Sequence, residues 1–96
     1  MPSPIRFISL SQLELRAHIQ YYDGFGDWLA QVYIEQVEGK QLVKLMTPEN
    51  ATSTLTAHVA IIAHLILGHP VTLGDSVNYV THKNPGYTIT SFPIIQ

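Results

Sequence analysis

The longest uncharged stretch of this chain constrains its fold more than any other feature. From Asn50 to Gly74 there is no Asp, Glu, Lys or Arg, and the most apolar part runs from Val59 to Leu67. Its apolar positions are spaced four, three and four residues apart, at Leu55, Val59, Ile62 and Ile66. This spacing predicts a helix, which Gly68 and Pro70 would end.

The predicted helix is apolar around most of its circumference, because Ile61, Leu65 and Leu67 widen the stripe. Such a helix must be covered on more than one side. A sheet can cover one side, and a second copy of the chain is the simplest cover for the other. We therefore expect a subunit interface at Ile61, Ile62, Leu65 and Ile66.

The start of this helix has two interpretations. Thr47 can cap a helix that has Pro48 at its first position and Glu49 in its first turn. Alternatively, residues 47–50 form a short turn and the helix begins near Ser53 or Thr54. Under either interpretation the apolar run is shorter than the roughly 20 residues of a membrane span, so we expect no span.

Upstream of the helix, the segment Leu13–Tyr21 alternates between apolar and polar residues. A period of two is typical of a half-buried strand. However, Ser11 and Glu14 fit the S-x-x-E capping box that begins many helices. Residues 11–22 are interpreted as a strand, with the helix kept as the alternative. A helix there would give a two-helix layer on a smaller sheet.

The rest of the chain is rich in strand-forming residues. Trp28–Val37 and Gln41–Met46 read as strands joined by a tight turn at Gly39, and further strands follow the helix. We therefore predict an α+β fold of order β-β-β-α-β-β, in which one apolar helix packs on a face of a small antiparallel sheet. The length of 96 residues predicts a single domain, 1–96.

The composition points to self-association. Charged residues make up only 12% of the chain, against roughly a quarter in typical soluble domains, while hydrophobic residues make up 46%. Part of the surface should therefore be apolar, as at contacts between proteins. We expect a homo-oligomer, with a dimer as the simplest case and another protein as the second possible partner.

Other partners and compartments are disfavoured by the same composition. The net charge is −2 and the five basic residues are scattered, which does not suit phosphate contacts, so we expect no nucleic-acid partner. The chain has no cysteine, which removes disulfides and thiolate metal sites and suggests a reducing cytoplasm.

Three of the five histidines, His58, His64 and His69, lie in or beside the predicted helix. Six residues of helix turn through about 600°, so His58 and His64 point about 120° apart and cannot chelate one ion. We therefore expect no metal and interpret the imidazoles as helix-rim or interface groups. The alternative is a site shared across a two-fold axis, with His64 or His58 from each subunit.

The segment Tyr21–Trp28 concentrates aromatic, acidic and glycine residues in eight positions. Loops between strands often carry binding residues. The candidate ligand-binding residues are Tyr22, Asp23, Phe25, Asp27 and Trp28. The alternative is a hairpin loop whose aromatics fold back to cap the core.

No catalytic motif or cofactor-binding motif stands out in the chain. The leading hypothesis is therefore a small non-enzymatic protein–protein interaction or regulatory module that acts as a homo-oligomer, without a cofactor. The alternative hypothesis is a small-molecule-binding protein or enzyme, with its pocket at the aromatic 21–28 loop and a histidine nearby.

Overall fold

A computed structural model describes residues 5–22, 24, 26–49, 58–79 and 86–95, with only the backbone described for 77–79. Within these residues there are seven strands and one helix. Their bounds are β1 Ile5–Ser11, β2 Arg16–Tyr22, β3 Asp27–Val37, β4 Lys40–Pro48, α1 Val59–Leu67, β5 Thr72–Leu73, β6 Val77–Tyr79 and β7 Tyr87–Ile95.

The strands form one antiparallel sheet. Strands β1 to β4 are neighbours in chain order, and β7 pairs with the free side of β4. The short strands β5 and β6 both pair with the other side of β7. The last strand thus lies between β4 and two strands that precede it in the chain, so the sheet depends on a pairing between segments distant in sequence.

Among the described residues the predicted antiparallel sheet with one helix is confirmed, but the predicted number of strands is wrong. The structure adds an N-terminal strand, β1, and has three strands after the helix where the predicted order has two. The meander of β2, β3 and β4 agrees with the prediction. Its second turn consists of Glu38 and Gly39, and both have positive φ (53° and 78°). A two-residue hairpin turn needs positive φ at both positions to match the right-handed twist of the strands.

Residues 11–22 contain a turn and a strand, and the helix that was kept as the alternative does not form there. Ser11 Oγ accepts a hydrogen bond from the Glu14 backbone N–H at 3.1 Å, which is the capping contact of an S-x-x-E motif. However, the turn stops at Leu15, which has a φ of 54°. Strand β2 then begins at Arg16 and places Ala17 in the core. The capping signal therefore marks a turn, and the alternating signal marks the strand after it.

The core lies between α1 and one face of the sheet, which we call the helix face; the opposite face is the outer face. Residues of β2, β3, β4 and β7 alternate between these two faces, as expected for strands. The buried cluster consists of Ala17, Ile19, Tyr21, Ala30, Val32, Ile34, Val43, Leu45 and Phe92 from the sheet and Val59, Ile62, Ala63 and Ile66 from α1.

The helix ends where the sequence predicts, and within the described residues it begins at Val59. Gly68 adopts the left-handed conformation (φ 80°) and its N–H donates to His64 C=O at 2.7 Å, which closes the last turn. Capping by Thr47 is wrong, because Thr47 and Pro48 continue β4 and pair with β7. The alternative start near residues 53–54 lies outside the described residues.

Among the residues that the structure describes, no helix has the length and apolar character needed to cross a membrane.

The edge of the sheet beyond β7 is interrupted at Gly74. The Gly74 N–H donates to Pro93 C=O at 2.8 Å between the short strands β5 and β6. A Cβ at Gly74 would lie 2.9 Å from Pro93 Cγ and 3.4 Å from Ile95 Cδ1. The close approach of these two segments therefore requires glycine.

We expect Gly74→Ala to lower the free energy of unfolding by about 1–3 kcal/mol, the usual cost of overpacking. Urea unfolding followed by Trp28 fluorescence measures it. In a Pro93→Ala background the Cγ contact is absent, so the same glycine substitution should cost less than half as much. An equal cost in both backgrounds would contradict this steric explanation.

Candidate functional site

The predicted clamp of the aromatic loop is divided between the two faces of the sheet. Tyr22 and Asp27 are cross-strand partners, both exposed on the outer face. Trp28 lies on the helix face, where the centroid of its ring is 4.9 Å from the centroid of the Tyr21 ring and the two ring planes make an angle of 47°. Asp23 and Phe25 lie outside the described residues. Tyr22 and Trp28 therefore do not converge on one ligand.

The four residues predicted as an interface also have different environments. Ile62 and Ile66 are buried in the core of the chain itself, at 2% and 1% exposure. Ile61 is 61% exposed and Leu65 is 39% exposed. A helix that turns Ile62 and Ile66 toward the sheet necessarily turns Ile61 and Leu65 away from it. Only the second pair is available for contact with another molecule.

One hydrogen bond joins α1 to the turn that follows the edge strand β1. Gln12 Nε2 donates to Leu65 C=O at 3.0 Å and fastens the β1–β2 turn to the helix. Phe7 and Leu10 of β1 lie opposite Ile19 and Ala17, so they point to the helix face, and both are more than 40% exposed. We call the set Phe7, Leu10, Ile61 and Leu65 the flank patch.

A β-bulge shapes the edge beside this patch. The register between β1 and β2 shifts between Phe7 and Ser9, so Ile8 is the additional residue. A bulge bends its strand and hinders the pairing of another chain with the sheet edge. It also changes the phase of the strand, which puts Ser9 on the outer face opposite His18.

The outer face carries a groove of about 260 Å³. A row of cross-strand neighbours crosses the groove in the order Ser9, His18, Gln31 and Met46, and the first three of them are polar. Its apolar walls are formed by Ile8, Leu29, Pro48 and Tyr87, together with Met46.

Hydrogen bonds fix the polar side chains of this groove. Ser9 Oγ and His18 Nδ1 are 3.0 Å apart. Arg16 Nη1 donates to Gln31 Oε1 at 2.8 Å, and the Arg16 guanidinium lies 5.2 Å from the centre of the Tyr33 ring, in a cation–π contact. The contacts of Arg16 hold the Gln31 amide in one orientation.

The groove does not reproduce a Ser-His-Asp arrangement. In that triad a carboxylate orients the imidazole that accepts the serine proton. The cross-strand neighbours of His18 are Ser9 and Gln31, and neither is a carboxylate.

The three histidines of the uncharged stretch are dispersed. His58 precedes α1, and its buried Nδ1 has no hydrogen-bond partner among the described residues. His64 is exposed, and His69 Nδ1 lies 3.1 Å from Pro70 O. Within the described ranges no three His, Cys, Asp or Glu residues are grouped to hold a metal ion. A site shared across a symmetry axis stays a prediction.

The sequence prediction missed the groove, although part of its signal was present. Alternation places His18 on the polar side of β2, and the tight turn at Gly39 sets the register that brings Gln31 opposite Met46. The contribution of Ser9 and Ile8 depends on β1 and its bulge, which a strict period of two does not reveal.

Comparison with known proteins adds no relative: no family model, no curated protein and no solved structure matches the chain.

The position of Trp28 leads to a test of the loop residues. We expect Trp28→Ala to lower the free energy of unfolding by about 2 kcal/mol or more, because a partly buried indole leaves the core. Tyr22→Ala should cost less than about 0.5 kcal/mol, as at other exposed positions. Urea titration followed by circular dichroism measures both. Equal, small effects would contradict the division of these residues between the two faces.

Proposed function

We propose that this chain is a small protein-interaction module that works as a homodimer, joined through the flank patch. The observation that supports the proposal is the presence of exposed apolar residues on the helix face of β1 and on the exposed side of α1. Phe7 and Leu10 belong to the edge strand, Ile61 and Leu65 belong to the helix, and Gln12 joins the turn after β1 to the helix. Exposed apolar surface is typical of contacts between proteins.

A second copy of the chain suits this patch because the patch carries no charge. A two-fold interface brings the same surface of each subunit together, so an uncharged apolar surface avoids repulsion between like charges. Arg6, the one charged residue of β1, lies opposite Gln20 and so points to the outer face. A charged partner would find no complementary group among these four side chains.

The structure of the two sheet edges also favours a subunit contact beside β1 and not beside β5 and β6. On one edge, β5 and β6 are only two and three residues long and are interrupted between them, which limits pairing with other chains. On the other edge, β1 has seven residues, with a bulge that hinders backbone pairing. Association at β1 is therefore expected through side chains on the helix face rather than through an extended sheet.

The proposal modifies the interface expected from the sequence. Ile61 and Leu65 remain in it, while Phe7 and Leu10 take the places of Ile62 and Ile66, which the core uses. The absence of cysteine suits work in a reducing compartment such as the cytoplasm. A regulatory role would operate through control of dimer formation.

The test uses substitutions at two residues whose side chains are equally exposed but lie on opposite sides of the sheet. Ile61 is 61% exposed beside the helix face, and Leu29 is 60% exposed on the outer face. We expect the wild-type chain and Leu29→Asp to have twice the chain mass of 10.7 kDa, and Ile61→Asp to have the mass of the monomer. A charge in the patch would be duplicated across the interface and desolvated, which is unfavourable.

Sedimentation equilibrium over a hundredfold dilution series measures the masses, and circular dichroism confirms that each variant is folded. The proposal is contradicted if the wild-type chain is monomeric throughout the series. It is equally contradicted if Leu29→Asp separates the subunits and Ile61→Asp leaves them associated.

A further inference from the structure

We infer that the groove on the outer face binds a small organic carboxylate, with the carboxylate at His18 and Gln31 and an apolar body over Met46, Pro48 and Tyr87. This site is separate from the flank patch, because the residues of the patch lie on the helix side of the sheet. The inference rests on the donors, the charges and the shape of the groove.

The first argument is the orientation of the Gln31 amide. A guanidinium has donors and no acceptor, so only the oxygen of the amide can bond to Arg16. The 2.8 Å contact from Arg16 Nη1 therefore goes to Oε1 and leaves the Gln31 NH₂ group on the opposite side of the amide. Because Gln31 lines the groove, we assign this NH₂ group as the hydrogen-bond donor for the ligand.

The second argument is the position of His18 beside that donor. His18 and Gln31 are direct cross-strand partners, and both line the groove. The contact with Ser9 engages Nδ1, which leaves Nε2 for a ligand. When the Ser9 hydroxyl donates to Nδ1, the imidazole carries its proton on Nε2 and becomes a second donor. Two adjacent donors suit the two oxygens of a carboxylate.

The third argument is the distribution of charge on the outer face. Arg6 lies opposite Gln20, and Arg16 lies opposite Tyr33. On β2, Arg16, His18 and Gln20 are successive outward-facing residues, so the cross-strand row that contains His18 lies between the rows that contain the two arginines. None of the residues that line the groove is acidic. On the far part of the face, Lys44 and Glu35 pair with each other at 3.3 Å. An anion is therefore favoured at the row of His18.

Asp27 completes this account of the charges. It also faces outward, but it lies two cross-strand rows from His18. Arg6 and Arg16 lie in the two rows directly beside that of His18, so both are nearer to His18 along the sheet than Asp27 is. Its carboxylate disfavours an anion at that end of the groove. The ligand carboxylate should therefore point to Gln31 and not to Asp27.

The fourth argument is the shape and polarity of the remaining walls. Beyond Gln31 the groove is bordered by Met46, Pro48 and Tyr87, which supply apolar surface for a hydrocarbon chain or a ring. Its volume of about 260 Å³ is below the roughly 300–1,000 Å³ of pockets for drug-sized ligands, so the body must be short. An eight-carbon fatty acid has suitable chemistry and serves as the probe.

The experiment is calorimetric titration of the full chain with octanoate, 1-octanol and octylamine, which share one apolar tail and differ in the head group. We expect saturable binding of octanoate at one site per chain, and at least about tenfold weaker binding of the alcohol and the amine, because charge-assisted hydrogen bonds contribute to the carboxylate alone.

Two matched variants locate the site. Gln31→Glu keeps an acceptor for Arg16, removes the NH₂ donor and adds a negative charge, so it should weaken octanoate binding at least about tenfold. Gln36→Glu makes the same chemical change at the exposed end of β3, away from the groove, and should leave the affinity unchanged. Circular dichroism checks that both variants are folded.

Three results would overturn the inference. They are the absence of saturable octanoate binding, equal affinity for octanoate and octylamine, and an equal loss of affinity in Gln31→Glu and Gln36→Glu.

Discussion

The packing of α1 against the helix face of the sheet is the contact on which the other features depend. Val59, Ile62, Ala63 and Ile66 are buried in one cluster with residues from four strands, and α1 packs against β2, β3 and β4 of the meander. In a chain of this length no other helix among the described residues can cover the sheet. Its burial also affects both surfaces, because it turns Ile61 outward and places the one helix of the described residues on the face opposite the groove.

Much of this arrangement could be predicted from local patterns. Period-two alternation placed Ala30, Val32 and Ile34 on one face of β3, and all three are buried there. The tight turn at Gly39 and the helix stop at Gly68 were both predictable, because each is the glycine that a positive φ favours at that position. These features depend on residues close in sequence, which is why a single sequence reveals them.

The features that were missed depend on contacts between distant segments or on a break in periodicity. In β1 the apolar residues Ile5 and Phe7 are followed by Ile8 and Leu10, a change of phase that conceals the strand and corresponds to the bulge. The insertion of β7 beside β4 cannot be read from local pattern. The candidate site changed accordingly, because neither the flank patch nor the groove forms without β1.

The two faces of the sheet thus present surfaces of different chemistry. The flank patch is apolar and uncharged, which suits a second copy of the chain. The groove combines an apolar wall with fixed donors between two arginines, which suits a small anion. Because the two surfaces are separated by the sheet, a substitution on one is expected to leave the other intact, and the two proposals can be tested independently.

We propose that copies of the chain meet at the flank patch. The most direct measurement is an isotope-filtered NOE experiment on a mixture of labelled and unlabelled protein, which detects only contacts between subunits. We expect intermolecular NOEs to the side chains of Phe7, Leu10, Ile61 and Leu65, and none to Leu29 on the outer face. Intermolecular NOEs from Leu29 or Tyr87 in place of the patch, or none at all, would contradict the account.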